Sequence, residues 1–147
     1  MPSERPTIDA YPYRIAITTR WMDNDVYGHV NNVTYYSFFD TAANQFLIER
    51  GQLDVAAGPV IGLVVESKCA YHAPVAYPQA LRAGVRVDKL GNRAVTYGIA
   101  IFTADDDRAV AHGHFVHVFV DRATRTPTAI PPAIRAALAS IAVPGAV

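Results

Sequence analysis

Between Thr19 and Asn32 the chain reads Thr-Arg-Trp-Met-Asp-Asn-Asp-Val-Tyr-Gly-His-Val-Asn-Asn. Two acids, a glycine, a histidine and three asparagines lie between a strand-like run and a long apolar run. Asp25 falls just ahead of a glycine turn and a helix start. A carboxylate there can act as nucleophile or general base. The helix start offers unpaired N–H groups and about half a positive charge, which suit an oxyanion. Acyl transfer needs both parts, and a single such donor is worth roughly 3 kcal/mol in the transition state.

The same residues also have plainer readings. Asp25 alone reads as a turn residue, and Asp23 as a local pairing or capping group. Gly28 serves a positive φ or a close approach of substrate. His29 can be an acid or a substrate orienter, though bonding the loop explains it more simply. Capping accounts for the side chains of Asn31 and Asn32. The functional addition is the Asn32 backbone N–H. Asp40, two turns into the helix, reads as structural. Cys69 reads as a small core residue. His112 and His114 share a strand face while His117 falls on the other, and no Cys or carboxylate cluster accompanies them, so no metal is expected.

These residues need elements to position them. Residues 1–12 hold three prolines and read as an irregular lead-in. Alternation predicts a strand over Tyr13–Trp21, followed by an acidic loop over 22–31. Val33–Arg50 has helical spacing, with Asn31 or Asn32 as cap and Gly51 closing its end in the left-handed conformation. Its 18 residues make about 27 Å of helix. Strands follow at Val60–Tyr71, Leu81–Leu90, Arg93–Thr103 and Ala109–Asp121. A proline-bearing break covers His72–Pro78, Gly91-Asn92 marks a tight turn, and Asp105–Asp107 a polar one. A short helix is expected over Ile130–Ile141, with Pro131 and Pro132 near its start. The four later strands should form an antiparallel meander, giving an α+β fold of one sheet wrapped around one helix.

The 147 residues suit one domain over 1–147, and 51% apolar against 18% charged is enough for a real core. Thirteen basic and thirteen acidic side chains balance, so charge gives no support for nucleic-acid binding. The apolar fraction suggests an oligomer that hides some of it. One cysteine excludes an internal disulfide. The N-terminus has no apolar signal region, and no run of about 18 apolar residues exists to span a membrane. A soluble cytoplasmic protein is expected.

With Asp25-Val-Tyr-Gly-His-Val-Asn-Asn32 at the helix entrance, the chain resembles the hotdog-fold acyl-CoA thioesterases, and within them the 4-hydroxybenzoyl-CoA thioesterase-like branch. Tyr35-Tyr36, Phe38-Phe39-Asp40 and the turn Leu90-Gly91-Asn92-Arg93 support the likeness, which covers about residues 13–121. It implies a curved antiparallel sheet of about five strands around a central helix. It also implies a homodimer or homotetramer with active sites at the dimer interface, and no cofactor. The essential carboxylate maps to Asp25 and the oxyanion donor to the N–H near Asn32, with Gly28 and His29 beside them. Tyr27, Val30, Tyr35, Glu66 and Ser67 are the candidates for acyl contact, with Ser67 approached from the facing subunit. Exposed cations near the hairpin, Arg93 foremost, suit the phosphates of CoA. The Val26-Tyr27 pair departs from the family pattern and bears on acyl preference.

The resemblance implies hydrolysis of acyl-CoA, or of acyl carrier protein thioesters, to free acid and thiol. A non-catalytic acyl-CoA-binding hotdog module is the alternative. An enoyl-CoA hydratase of the same fold ranks last, because the Asp-x-Asn-Pro-x-His type of motif is absent.

Overall fold

The computed structural model describes residues 4–147. Strand β1 (Tyr13–Thr18) leads through a single 3-10 turn (Trp21–Asp23) and a loop into helix α1 (Thr34–Glu49). Strands β2 (Val60–Tyr71), β3 (Ala80–Leu90), β4 (Ala94–Thr103) and β5 (Ala111–Asp121) follow, and helix α2 (Pro132–Ser140) ends the fold. The five strands form one antiparallel sheet in the order β1-β3-β4-β5-β2. This is the hotdog fold that the resemblance implies.

One face of the sheet carries Ile15, Ile17, Val85, Val87, Tyr97, Ile99, Phe115 and Phe119, and α1 packs on it. The helix buries Tyr35, Phe38, Phe39, Ala42, Ala43, Phe46 and Leu47. Those positions recur at three- and four-residue steps, the spacing of one helical face. Tyr36, which the sequence groups with that face, is only half-buried. Asp40 stands on the solvent face, where its Oδ1 accepts the Asn44 side-chain amide at 2.9 Å.

Several expectations need correction. The meander holds only for β3, β4 and β5. Strand β2 pairs with β5 at the far edge, and His72–Gln79 carries the chain back across the sheet to β3. Periodicity predicts a strand but not its neighbour, and an eight-residue connection is long enough for that crossing. Strand β1 stops at Thr18, because Asp23 accepts the Arg20 backbone N–H at 2.7 Å and folds residues 21–23 into a turn. Helix α1 starts at Thr34. Gly51 is not left-handed: its N–H continues the helix to the Leu47 carbonyl at 3.0 Å, and Gln52 takes the positive φ of 59°. Strand β5 begins at Ala111, since the Ala109 N–H is engaged by the Pro6 carbonyl at 2.8 Å.

The lead-in is more ordered than its prolines suggest. Ile8 and Tyr11 cover Ala100, Phe102 and Ala109 on the outer face of the sheet. Gly84 makes this possible, because a Cβ there would meet the Tyr11 Cβ at 2.6 Å. No helix of the described residues is long and apolar enough to cross a membrane.

Candidate active site at the entrance of the long helix

The loop between β1 and α1 lies at the sheet end where β1 and β2 finish and β3 and β5 begin. It is pinned at several points. The Thr19 hydroxyl donates to the Gln79 carbonyl at 2.7 Å, and the Val30 N–H to the Val75 carbonyl at 2.8 Å. Asn24 Oδ1 accepts the Tyr77 N–H at 3.0 Å. The crossing segment from β2 to β3 therefore serves as the platform for the loop. Asp23 is buried, and its carboxylate accepts the Arg20 backbone N–H and both Nε and Nη2 of its guanidinium. Its carbonyl accepts the Asn31 N–H at 2.8 Å, so Asp23 scaffolds both ends of the loop.

Asp25 is half-exposed. Its Oδ1 accepts the Tyr27 N–H at 2.9 Å, and its N–H and carbonyl close the turn to His29 and Gly28. Among the described residues its other carboxylate oxygen has no hydrogen-bond partner and is free to act. Gly28 has φ +82°, and nothing lies within 4 Å of where its Cβ would be, so the need for glycine is conformational. His29 bonds the loop through its carbonyl. Its ring makes no hydrogen bond among the described residues.

At the N-terminus of α1 the two asparagines differ. Val33 is the N-cap and has no side-chain cap bond; Asn31 leads into it, with its carbonyl accepting the Thr34 N–H at 2.9 Å and its Oδ1 the Val33 N–H at 3.3 Å. The Asn32 side chain does not cap. Its backbone N–H has no partner among the described residues, and its carbonyl accepts the Tyr71 hydroxyl at 2.8 Å.

Two hollows flank this segment. One, of about 680 Å³, is lined by Trp21, Asn24, Asp25, Val26, Gly28 and Asn31. The other, of about 290 Å³, takes in His29, Val30, Asn32, Tyr35, Tyr71 and His72. Asp25 and Asn32 thus line neighbouring hollows of one protomer, with the Gly28–Asn31 turn as the wall between them. Val30 and Tyr35 are mostly core residues with an edge on the second hollow, and Tyr27 is exposed.

The remaining candidates lie elsewhere within the protomer. Glu66 is on the outer sheet face, where its carboxylate meets His114 Nε2 at 2.7 Å. A bulge between Val64 and Glu66 shifts the alternation, so that Ser67 pairs opposite the core residue Phe115 while Glu66 points away. Arg93 sits at the β3–β4 hairpin, at the opposite end of the sheet from Asp25. Strand pairing, which sequence spacing does not reveal, decides these placements.

The structure adds Tyr71 and His72 to the site. Tyr71 is the last inward residue of β2, and an aromatic ending a strand just before a proline-bearing break was the available signal. His72 Nε2 lies 2.7 Å from His112 Nδ1 with the rings nearly parallel. Burial holds both imidazoles below their ordinary range. Cys69 is half-buried, and burial pushes its thiol up to about 11, which disfavours the thiolate at neutral pH.

The thioesterase-like superfamily matches the chain over residues 19–138. The structure is similar to that of the PA5185 protein of Pseudomonas aeruginosa, at 55% identity and a TM-score of 0.93, over 95% of this chain and 98% of that one. The PA2801 protein of the same organism follows at 28% identity and TM-score 0.81, over 87% and 98% of the two chains. A 1,4-dihydroxy-2-naphthoyl-CoA thioesterase from Synechocystis shares the fold, at 15% identity and TM-score 0.78, over 88% and 96%. No curated protein sequence matches the chain.

Proposed function

This chain belongs to the thioesterase-like superfamily, and from that premise we propose that it hydrolyses acyl-CoA or acyl carrier protein thioesters to a free acid and a thiol. Thioester hydrolysis is the reaction class to which the superfamily points. The observation that carries the finer reading is the helix entrance itself. A carboxylate with one uncommitted oxygen, Asp25, is held by a rigid turn beside a helix N-terminus whose Asn32 N–H is unpaired.

The thioester carbonyl oxygen accepts the Asn32 N–H and sits at the positive end of the α1 dipole. Asp25 delivers the electron pair, by direct attack on the carbonyl carbon or by taking a proton from an attacking water. The C–S bond breaks and the thiolate leaves, taking up a proton to become the thiol. Thiolate is a good leaving group, so a sparse site suffices. Direct attack gives an anhydride that water then opens, and heavy-oxygen water in a single turnover labels the Asp25 carboxylate only in that route. Tyr27, Val30, Tyr35 and Ser67 contact the acyl group, and His29 orients it.

We read the working unit as a homodimer or homotetramer. Strand β2 is a sheet edge that leaves Leu63, Val64 and Val65 exposed, a surface that monomers rarely leave open. Arg93 and Glu66, remote from Asp25 in one protomer, reach a site only if it is shared between protomers.

The test is thiol release from a panel of acyl-CoA esters, beside Asp25→Asn. Turnover should fall at least about a hundredfold, the scale of losing one main catalytic group, with the thermal midpoint kept. Near-full activity of the variant removes Asp25 from the mechanism. Tight ester binding by the native protein without thiol release identifies a binding module instead.

A further inference from the structure

We infer that Tyr71 is a positioning residue for the reaction: its hydroxyl holds the entrance peptide of α1 so that the Asn32 N–H faces the substrate. This rests on the oxyanion role given to that N–H under the proposed function.

The Tyr71 hydroxyl donates to the Asn32 carbonyl at 2.8 Å, across 39 residues of sequence. In a regular helix that carbonyl would accept the Tyr36 N–H, four residues on. Here the Tyr36 N–H goes to the Val33 carbonyl at 3.2 Å instead. Among the described residues the Tyr71 hydroxyl is thus the only donor to the Asn32 carbonyl. The first turn of α1 is tightened, and Asn32 is left outside the helical ladder at both its N–H and its C=O. Asn31 is fixed from the other side through its bonds to Asp23, Val33 and Thr34. The residue carrying the free N–H is therefore clamped before and after.

The tyrosine ring has its own support. It packs edge-on against Tyr35, with centroids 5.2 Å apart and planes at 81°. Tyr35 is buried in the core, so the hydroxyl is aimed by packing. Burial and the neighbouring Cys69 push the Tyr71 hydroxyl well above its ordinary value, which keeps its proton available to donate. An oxyanion donor acts only if it needs no reorganisation during the reaction. Holding the peptide from a neighbouring strand meets that need without placing another side chain on the substrate.

Tyr71→Phe keeps the ring and its contact with Tyr35 and removes one donor. Steady-state kinetics on the best acyl-CoA ester should show kcat reduced about tenfold, the scale of one lost hydrogen bond. KM should stay within about twofold and the thermal midpoint should stay unchanged. Amide exchange at Thr34 and Tyr36, the bonded amides of the first turn, should quicken while core amides stay protected, and this readout holds even if the variant loses some stability. A kcat at the native level, with Asp25→Asn inactive in parallel, overturns the inference and leaves the proposed function standing. A KM that rises with kcat unchanged overturns it as well, because Tyr71 would then be a substrate contact. Unchanged exchange at Thr34 and Tyr36 has the same force. If Asp25→Asn is itself fully active, the failure lies in the proposed function.

Discussion

The Tyr97 hydroxyl and His117 Nδ1 stand 3.1 Å apart inside the core, on β4 and β5, and both side chains are cut off from solvent. Phe115 and Phe119 crowd the imidazole on its own strand. A Cβ at Gly62 on β2 would come to 3.3 Å from its Nδ1, so that glycine makes room for it. Burial brings the His117 pKa down to about 4.

This gives the protein an acid liability. The unfolded chain protonates His117 near pH 6.5, whereas the folded one resists until about pH 4. Between those values the unfolded state binds more protons, so stability is full above pH 6.5 and falls as the pH drops. The total loss is about 3 kcal/mol, at 1.36 kcal/mol per pKa unit. Thermal midpoints measured from pH 7.5 to 4.5 should decline in the native protein and decline less in His117→Gln. Parallel curves would show that another group titrates.

Gly28→Ala tests the loop turn. A side chain at φ +82° costs about 1–2 kcal/mol, and no clash adds to that. We expect a drop of a few degrees in thermal midpoint but a larger relative loss of turnover, because the same turn carries Asp25. Asn tolerates the left-handed region, so Gly28→Asn should recover part of the activity. Equal activity in all three proteins would show that the turn does not set the position of Asp25.

Asp23→Ala should destabilise by about 1–3 kcal/mol by leaving buried donors unpaired. The Arg20 guanidinium is more than half exposed and can turn to water, so the loss comes mainly from the Arg20 backbone N–H. Denaturant titration should show the lower midpoint with an unchanged slope. Activity should fall in proportion to loop disorder, not vanish as with Asp25→Asn.

Val65→Lys addresses the edge of β2. Val65 is the bulged residue and 60% exposed. A charge there should leave the isolated fold intact and weaken self-association, as edge lysines do. Sedimentation of native and variant protein checks this. An identical oligomeric state in both moves the interface away from β2.

Much of this was legible from residue type and period. Val60–Tyr71 matches its strand end to end, and the apolar face of α1 follows from three- and four-residue spacing. The positive φ of Gly28 follows from the need for a turn before a helix. What escaped was non-local. No local pattern says that β2 pairs with β5, or that a bulge turns Glu66 to the outer face. Gly51 has the composition of a left-handed closing residue, yet the Leu47 carbonyl kept it helical and passed the role to Gln52. Tyr71 looked like a strand aromatic because its partner, Asn32, is remote in sequence.

The sheet order also constrains synthesis. Strand β2 leaves the ribosome about forty residues before β5, the strand it pairs with. Until residues 111–121 emerge, β2 and the apolar face of α1 have no completed sheet to rest on. The hydroxyl of Tyr71 and the carbonyl of Asn32 are then both attached to unsettled elements. Closure by a late, long-range strand makes for slow folding and a window of exposed β-rich surface. The helix entrance therefore gains its final geometry only after β5 has docked, so a chain truncated before Ala111 would carry Asp25, Asn32 and their platform segment without the strand that anchors β2.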